Sequence, residues 1–392
     1  MVIKEKKIIS FGGWYQRTTL HLTEVWDFLT SKHSQLKLSQ EELKKLHKGL
    51  DIKNVSRKTA YLEYIEILTN SGIQIRYYED GLYRLSIESE KIEESKLKIR
   101  EYFYKKFRPA IEYLFSLGAP TPKILANIKE EHPVVVGIST VGVRSFKLDP
   151  KIYGRAYSET SSGNTRVLKT PDYIIIITST LESTLIDLIE MQIFFREFKT
   201  QLHKYLNIHR TIWEKIDDIK EKEKVRGKDI AEFRSKLENY KKTIIIIRSR
   251  MNQMNSYADT RSSIATKLKI KSDLATLFEY RFEDLFSSLK YIKEIWEMTL
   301  EYVNSAIEVL SEISGEIETS GIESIRLLAS IGVVTGIFGY MADGALPIIT
   351  KTGALYLIGV GVLAFGIDYI MGKMAQRKKY ELSFTEIEKI SD

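Results

Sequence analysis

Apolar residues recur through the C-terminal half of the chain in alternating steps of four and three. Phe278, Phe282, Leu285, Leu289, Ile292, Trp296, Thr299, Val303, Ala306, Leu310, Ile313 and Ile317 are twelve successive positions of this kind, with Thr299 the one polar member. An alternation held over more than five heptads predicts a long helix with a coiled-coil seam, which needs partner helices from its own chain or from other copies. Ile230, Phe233, Leu237, Tyr240, Ile244, Ile247, Met251 and Met254 follow the same rule, so the "IIII" run at 244–247 reads as helix. Proline is absent between Pro171 and Pro347, and residues 181–321 therefore read as a long helical stalk region.

Near Gly321 the seam shifts by one position and continues through small residues, Ile325, Ala329, Gly332, Gly336 and Gly339. That change accompanies an uncharged run from Leu327 to Ala342, and a second follows from Thr352 to Ile367. With a few flanking residues each reaches the length of a membrane span, so 322–376 predicts two transmembrane helices with a short external loop, the alternative being two buried core helices. Lys373, Arg377, Lys378 and Lys379 outweigh Lys351 in the loop. The positive-inside rule then places the protein in the cell membrane with two spans and both termini cytoplasmic, and leaves 377–392 as a basic-then-polar tail.

The N-terminal region changes pattern. In residues 1–95, "TLHLTEVWDFLTSKH" carries a helical stripe, and "SQEELKKLHKGL" opens on Ser39 with Glu42 three residues on, a capping-box spacing. "SRKTAYLEYIEILTNSG" reads as a third helix with Ala60, Leu62, Ile65 and Leu68 facing inward. "IQIRYYEDGLYRLSI" alternates around Asp80-Gly81 and predicts a β-hairpin. Residues 96–180 predict a small α/β region: a helix interrupted at Pro109, then the β-branched runs "PVVVGIST" and "YIIIITST" as buried strands. The fold class expected is mainly α with a mixed α/β N-terminal part, and long stalk helices leading into a two-helix transmembrane hairpin.

Composition adds limits. The 392 residues contain no cysteine, which excludes disulfides, zinc ribbons and thiol nucleophiles. The start "MVIKEKKIISFGGWYQR" lacks the apolar core of a secretory signal. Net charge is +7, and a basic block at 196–271 precedes an acidic one at 273–323. The six histidines show no ligand spacing, and neither a P-loop nor a G-x-S-x-G motif occurs. An enzyme is the class least supported, and no bound cofactor is expected.

Three helices followed by a hairpin resemble the winged helix-turn-helix family over about 70 residues. The resemblance implies a recognition helix beginning at Arg57, Lys58 and Thr59 and a wing carrying Arg76 and Arg84, for contact with DNA or a protein partner. The long stalk, the first apolar helix ending in "VVTGIFGYMADG", the short loop and the basic end together resemble the CorA family of divalent-cation transporters. That resemblance implies a homo-oligomer, a pentamer by analogy, in the lipid bilayer, with Mg²⁺ or another divalent cation as transported and regulatory ion. Its pore face falls on Gly332, Thr335, Gly336, Gly339, Tyr340 and Met341, with Gly339, Tyr340 and Met341 standing at the family's Gly-Met-Asn signature. Regulatory metal falls on the stalk carboxylates Glu308, Glu312, Glu316 and Glu323. The function expected is a CorA-like channel or transporter; the alternative is a membrane-tethered winged-helix binding or scaffold protein without conduction.

Overall fold

The structure is a computed structural model that describes residues 5–15, 22–34, 36–116, 133–220 and 224–343, together with part of 358–381. The side chains of 316–343 lie outside that description. Contacts divide the chain into two compact units, Met1–Ile208 with Ile247–Glu294, and His209–Ile246 with Ile295–Asp392.

The first unit is built on one nine-stranded sheet. Its strands are β1 (Lys6–Trp14), β2 (Ile52–Thr59), β3 (Glu63–Thr69), β4 (Gln74–Tyr78), β5 (Leu82–Glu88), β6 (Val134–Ser139), β7 (Ser158–Ser162), β8 (Thr165–Lys169) and β9 (Tyr173–Thr178). Their order is β2-β3-β4-β5-β1-β6-β9-β8-β7, and every neighbouring pair is antiparallel except β6 with β9. β1 therefore joins strands from both of the regions that the sequence reads separately.

One face of the sheet is covered by α1 (Leu22–Ser31), α2 (Gln40–Gly49), α3 (Ile92–Tyr102) and α4 (Arg108–Phe115), and a short α5 (Pro150–Tyr153) adds Tyr153. Strand alternation sends Ile9, Phe11, Ile65, Ile67, Ile75, Tyr83, Leu85, Val136 and Ile175 into this core. Between α3 and α4 the chain takes a π-helical turn, Phe103–Phe107, and Pro109 sits in the first turn of α4. The interruption expected at Pro109 is thus a widened turn that places the proline where its missing N–H is harmless.

The other face meets α6 (Glu182–Lys220). A Cβ on Gly137 would lie 2.8 Å from Ile189 Cδ1, and one on Gly12 would lie 2.5 Å from the Tyr83 carbonyl oxygen and 2.8 Å from Ile193 Cδ1. Glycine at these two strand positions is what lets α6 lie this close to the sheet. Residues 247–267 of α7 (Gly227–Lys267) and the short α8 (Lys271–Phe278) complete this side.

The third helix expected from "SRKTAYLEYIEIL" is corrected: the segment forms β2, a turn and β3. Ile65 and Leu68 fit a helical stripe, but Ile65, Ile67 and Thr69 are the buried set, with a period of two. The β-branched content and pairing with β4 decide between the two periods. The winged-helix arrangement therefore lacks its recognition helix. The Asp80-Gly81 hairpin is present as β4–β5, with Gly81 at φ +85°, and α2 is capped at Ser39, whose Oγ accepts from the Glu42 N–H at 3.5 Å.

The second unit is helical. α9 spans Phe282–Asp343 and belongs to this unit from Ile295 onward; the sequence seam breaks before α9, at Glu279 in the first unit, which takes a left-handed conformation (φ 60°) after α8. From Phe282 to Leu310 every seam residue is buried within the single chain, so this stretch is covered without another copy. Thr299, its polar member, donates to the Ile295 carbonyl oxygen at 2.9 Å and accepts from His209 Nε2 at 2.7 Å. The imidazole stands edge-on to Trp296, with ring centres 5.2 Å apart, and burial pushes its pKa down. Lys379–Glu381 forms β11 against β10 (Lys224–Arg226), so the start of the expected tail is a strand.

Among the described residues no helix is long and apolar enough to cross a membrane. The uncharged part of α9 has only 16 residues between Arg326 and Asp343; that rise is about 24 Å against roughly 30 Å of hydrocarbon. Most of 352–367 lies outside the described residues. This corrects the expected transmembrane hairpin, the two-span cell-membrane location and the ion-transport reading that required both.

Candidate functional site

The register of the β3–β4–β5 meander sets three ionic side chains in a row. Glu66 pairs with Arg76, and Arg76 with Arg84. Alternation turns all three, with Tyr64 and Tyr78, away from the core face and toward α6. Two arginines directly opposite each other repel unless anions separate them.

Glu190, buried on α6, supplies the main compensation. It accepts from Tyr78 Oη at 2.6 Å and from Arg84 Nε at 3.1 Å, and Arg76 Nη1 lies 3.5 Å away. Glu66 accepts from Arg76 Nε at 3.1 Å and Gln74 Nε2 at 2.9 Å, and from Lys58. Burial opposes the charge on Arg76, but Glu190 together with Tyr78 and Tyr64 more than offsets this and holds its pKa above the ordinary arginine value. Burial first, and the Glu190 charge second, push the Tyr78 phenol far above its usual range, so it stays a donor.

A second ion pair closes the lattice from α7. Arg261 and Asp80 are 3% and 2% exposed and meet through two hydrogen bonds, Nε to Oδ2 at 2.6 Å and Nη2 to Oδ1 at 2.9 Å. Asp80 also accepts from the Leu82 N–H at 3.1 Å, which ties the pair to the hairpin turn. The guanidinium lies over the Tyr78 ring, 4.9 Å from its centre, and Arg76 lies over Tyr64 at 5.2 Å.

Beside this lattice a cleft of about 330 Å³ opens between the β2–β3 turn, the β3–β4 pair, the start of α6 and the end of α7. Leu62, Met191, Ile264 and Leu268 make its apolar walls, Tyr61 and Tyr64 its aromatic rim, and Arg76, Asp187, Glu190 and Arg261 its charged floor. Asp187 stands three residues before Glu190, on the same helical face. It makes no hydrogen bond or ion pair with any described residue, whereas Glu190, Glu66 and Asp80 are all engaged. Burial first, then the Glu190 charge, push its pKa up to about 6, against the opposing effect of Arg76, Arg84 and Arg261.

Comparison of the chain with protein families, curated proteins and solved structures finds no match.

Of the residues singled out from sequence for nucleic-acid contact, Arg57, Lys58 and Thr59 lie on β2. Arg57 bonds Glu63 at 2.6 Å and Lys58 bonds Glu66. Arg76 and Arg84 belong to the lattice, with Arg84 1% exposed. The expected recognition surface is corrected accordingly: four of the five side chains are ion-paired cations, and they do not form an open basic face. Glu308 and Glu312 are exposed on α9, and the described residues contain no group of three metal-ligating side chains. The side chains of Glu316, Glu323, Gly332, Thr335, Gly336, Gly339, Tyr340 and Met341 lie outside the described residues. Asp187, Glu190 and Arg261 were missed. Two carboxylates three apart in the apolar stretch "LIDLIEMQIFF" mark Asp187 and Glu190 as unusual, and nothing local marks Arg261.

Proposed function

We propose that this chain is a small-molecule-binding protein, with its ligand held in the cleft beside the β4–β5 hairpin and without chemical turnover. The supporting observation is the contrast inside one site: every other carboxylate there is locked in hydrogen bonds, while Asp187 faces a cleft of ligand size with its acceptors unfilled. The surrounding lattice fixes the walls. Buried ion pairs of this kind act through geometry, because moving either partner leaves a charge uncompensated.

The test is a ligand screen on the full chain by thermal shift, repeated on Ser183→Trp, which adds bulk at an exposed cleft-lining position. A ligand at one hundred times its Kd stabilises by about 2.7 kcal/mol. Compounds that raise Tm in the wild type and lose that effect in the variant support the proposal. Hits that act equally on both proteins refute it.

A further inference from the structure

The hydrogen-bonding valence of the cleft is lopsided. Arg76, Arg84 and Arg261 surround the floor, yet their bonding N–H groups point to Glu66, Glu190 and Asp80. Lys267 stands at the rim with its ammonium 5.9 Å from the centre of the Tyr61 ring and forms no ion pair with Asp187. Among the charged side chains that line the cleft, Asp187 alone has no hydrogen bond or ion pair with a described residue. The net field is also unfavourable to the Asp187 carboxylate, since burial and Glu190 outweigh three guanidiniums. A bound group with N–H donors fills the valence, and one with positive charge also relieves the field.

We propose that the ligand is a protonated primary amine on a small apolar body, its ammonium on the Asp187 carboxylate and its body against Leu62, Ile264 and Leu268. This rests on reading the cleft as a binding site, and deepens that reading by naming the ligand class. A neutral donor of the same size fills the hydrogen bonds but leaves the charge unmatched, so the amine is preferred over the alcohol. A carboxylate meets Asp187 and Glu190 and is disfavoured.

The experiment is titration calorimetry on the full chain with phenethylamine, 2-phenylethanol and 3-phenylpropionate at pH 7.5 and pH 5. The amine is expected to bind at least tenfold tighter than either analogue at pH 7.5. Its affinity should fall about tenfold between pH 7.5 and pH 5, as Asp187 takes up a proton. In Asp187→Asn the amine should weaken at least tenfold and the alcohol should not change. Equal or tighter binding of the alcohol or the carboxylate overturns the amine assignment and leaves the cleft a binding site. Binding of none of the three, or binding that Ser183→Trp leaves intact, overturns the site reading and the assignment with it. A wild-type preference for the amine that survives in Asp187→Asn overturns the role of Asp187.

Discussion

The charge lattice of the first unit and the apolar seam around Trp296 in the second solve the same packing problem with opposite chemistry. Around Glu190, helix meets sheet through arginines, carboxylates and a tyrosine, held by directional bonds. Around Trp296, helical segments meet through aliphatic and aromatic side chains, and the one polar seam residue, Thr299, is matched by His209. The lattice is brittle, since each member depends on its partner's charge. The seam is tolerant, because apolar burial depends on area and shape alone. Geometry that must hold still around a ligand belongs with the first kind.

Substitutions separate the two. Arg261→Ala leaves Asp80 charged and buried alone, with an expected loss of about 3–5 kcal/mol in urea unfolding. Asp80→Asn combined with Arg261→Met should lose less than Arg261→Ala by itself; an additive loss would mean the pair is not coupled. Leu310→Ala empties a fully buried site, with a loss of about 2–5 kcal/mol that does not vary between pH 5 and pH 8. A pH-dependent loss there would erase the distinction between the two regions. Glu190→Gln keeps the shape and removes the charge that two arginines share, for about 1.5–3 kcal/mol. It also takes away the repulsion on Asp187, whose pKa, followed by carboxyl NMR, should move down from about 6 toward 3.8.

Asp187→Asn has the smallest expected effect and the clearest sign. The folded state holds the Asp187 proton more tightly than the unfolded chain does. Wild-type stability from this group is therefore fully present below about pH 4 and is lost as pH rises to about 6. The variant should raise Tm at pH 8 and leave it unchanged near pH 4. A gain at pH 4 as large as at pH 8 would show that the carboxyl is not the cause.

What the sequence made legible follows the range of the interactions. The seam on α9, the α7 stripe, the buried strands β6 and β9, and the Asp80-Gly81 hairpin are patterns within a few residues of each other. The segment 56–68 reads as helix from sequence because Ile65 suits both periods, and only pairing with β4 decides. The cleft was hidden for a related reason: Asp80, Asp187 and Arg261 are scattered through 181 positions, and nothing local marks them as neighbours. Uncharged length was legible near the C-terminus, but length alone overstated what α9 could span.

The basic residues of β2 lie on an edge strand of the sheet. β2 ends the sheet on one side, β7 on the other. β7 is shielded by α8, where Thr160 Oγ1 donates to the Leu277 carbonyl oxygen at 2.6 Å and Ser162 Oγ to Asp273 at 3.0 Å. Among the described residues β2 has no hydrogen-bonded cover of this kind, but its ladder slips between Ile52 and Asn54, and it carries Lys53, Arg57 and Lys58. A kinked border crowded with charged side chains is a poor template for a strand of another molecule. The stretch that resembles a reader of DNA is the open rim of the sheet, and its kink and salt-bridged side chains disfavour stacking against the edge of another sheet.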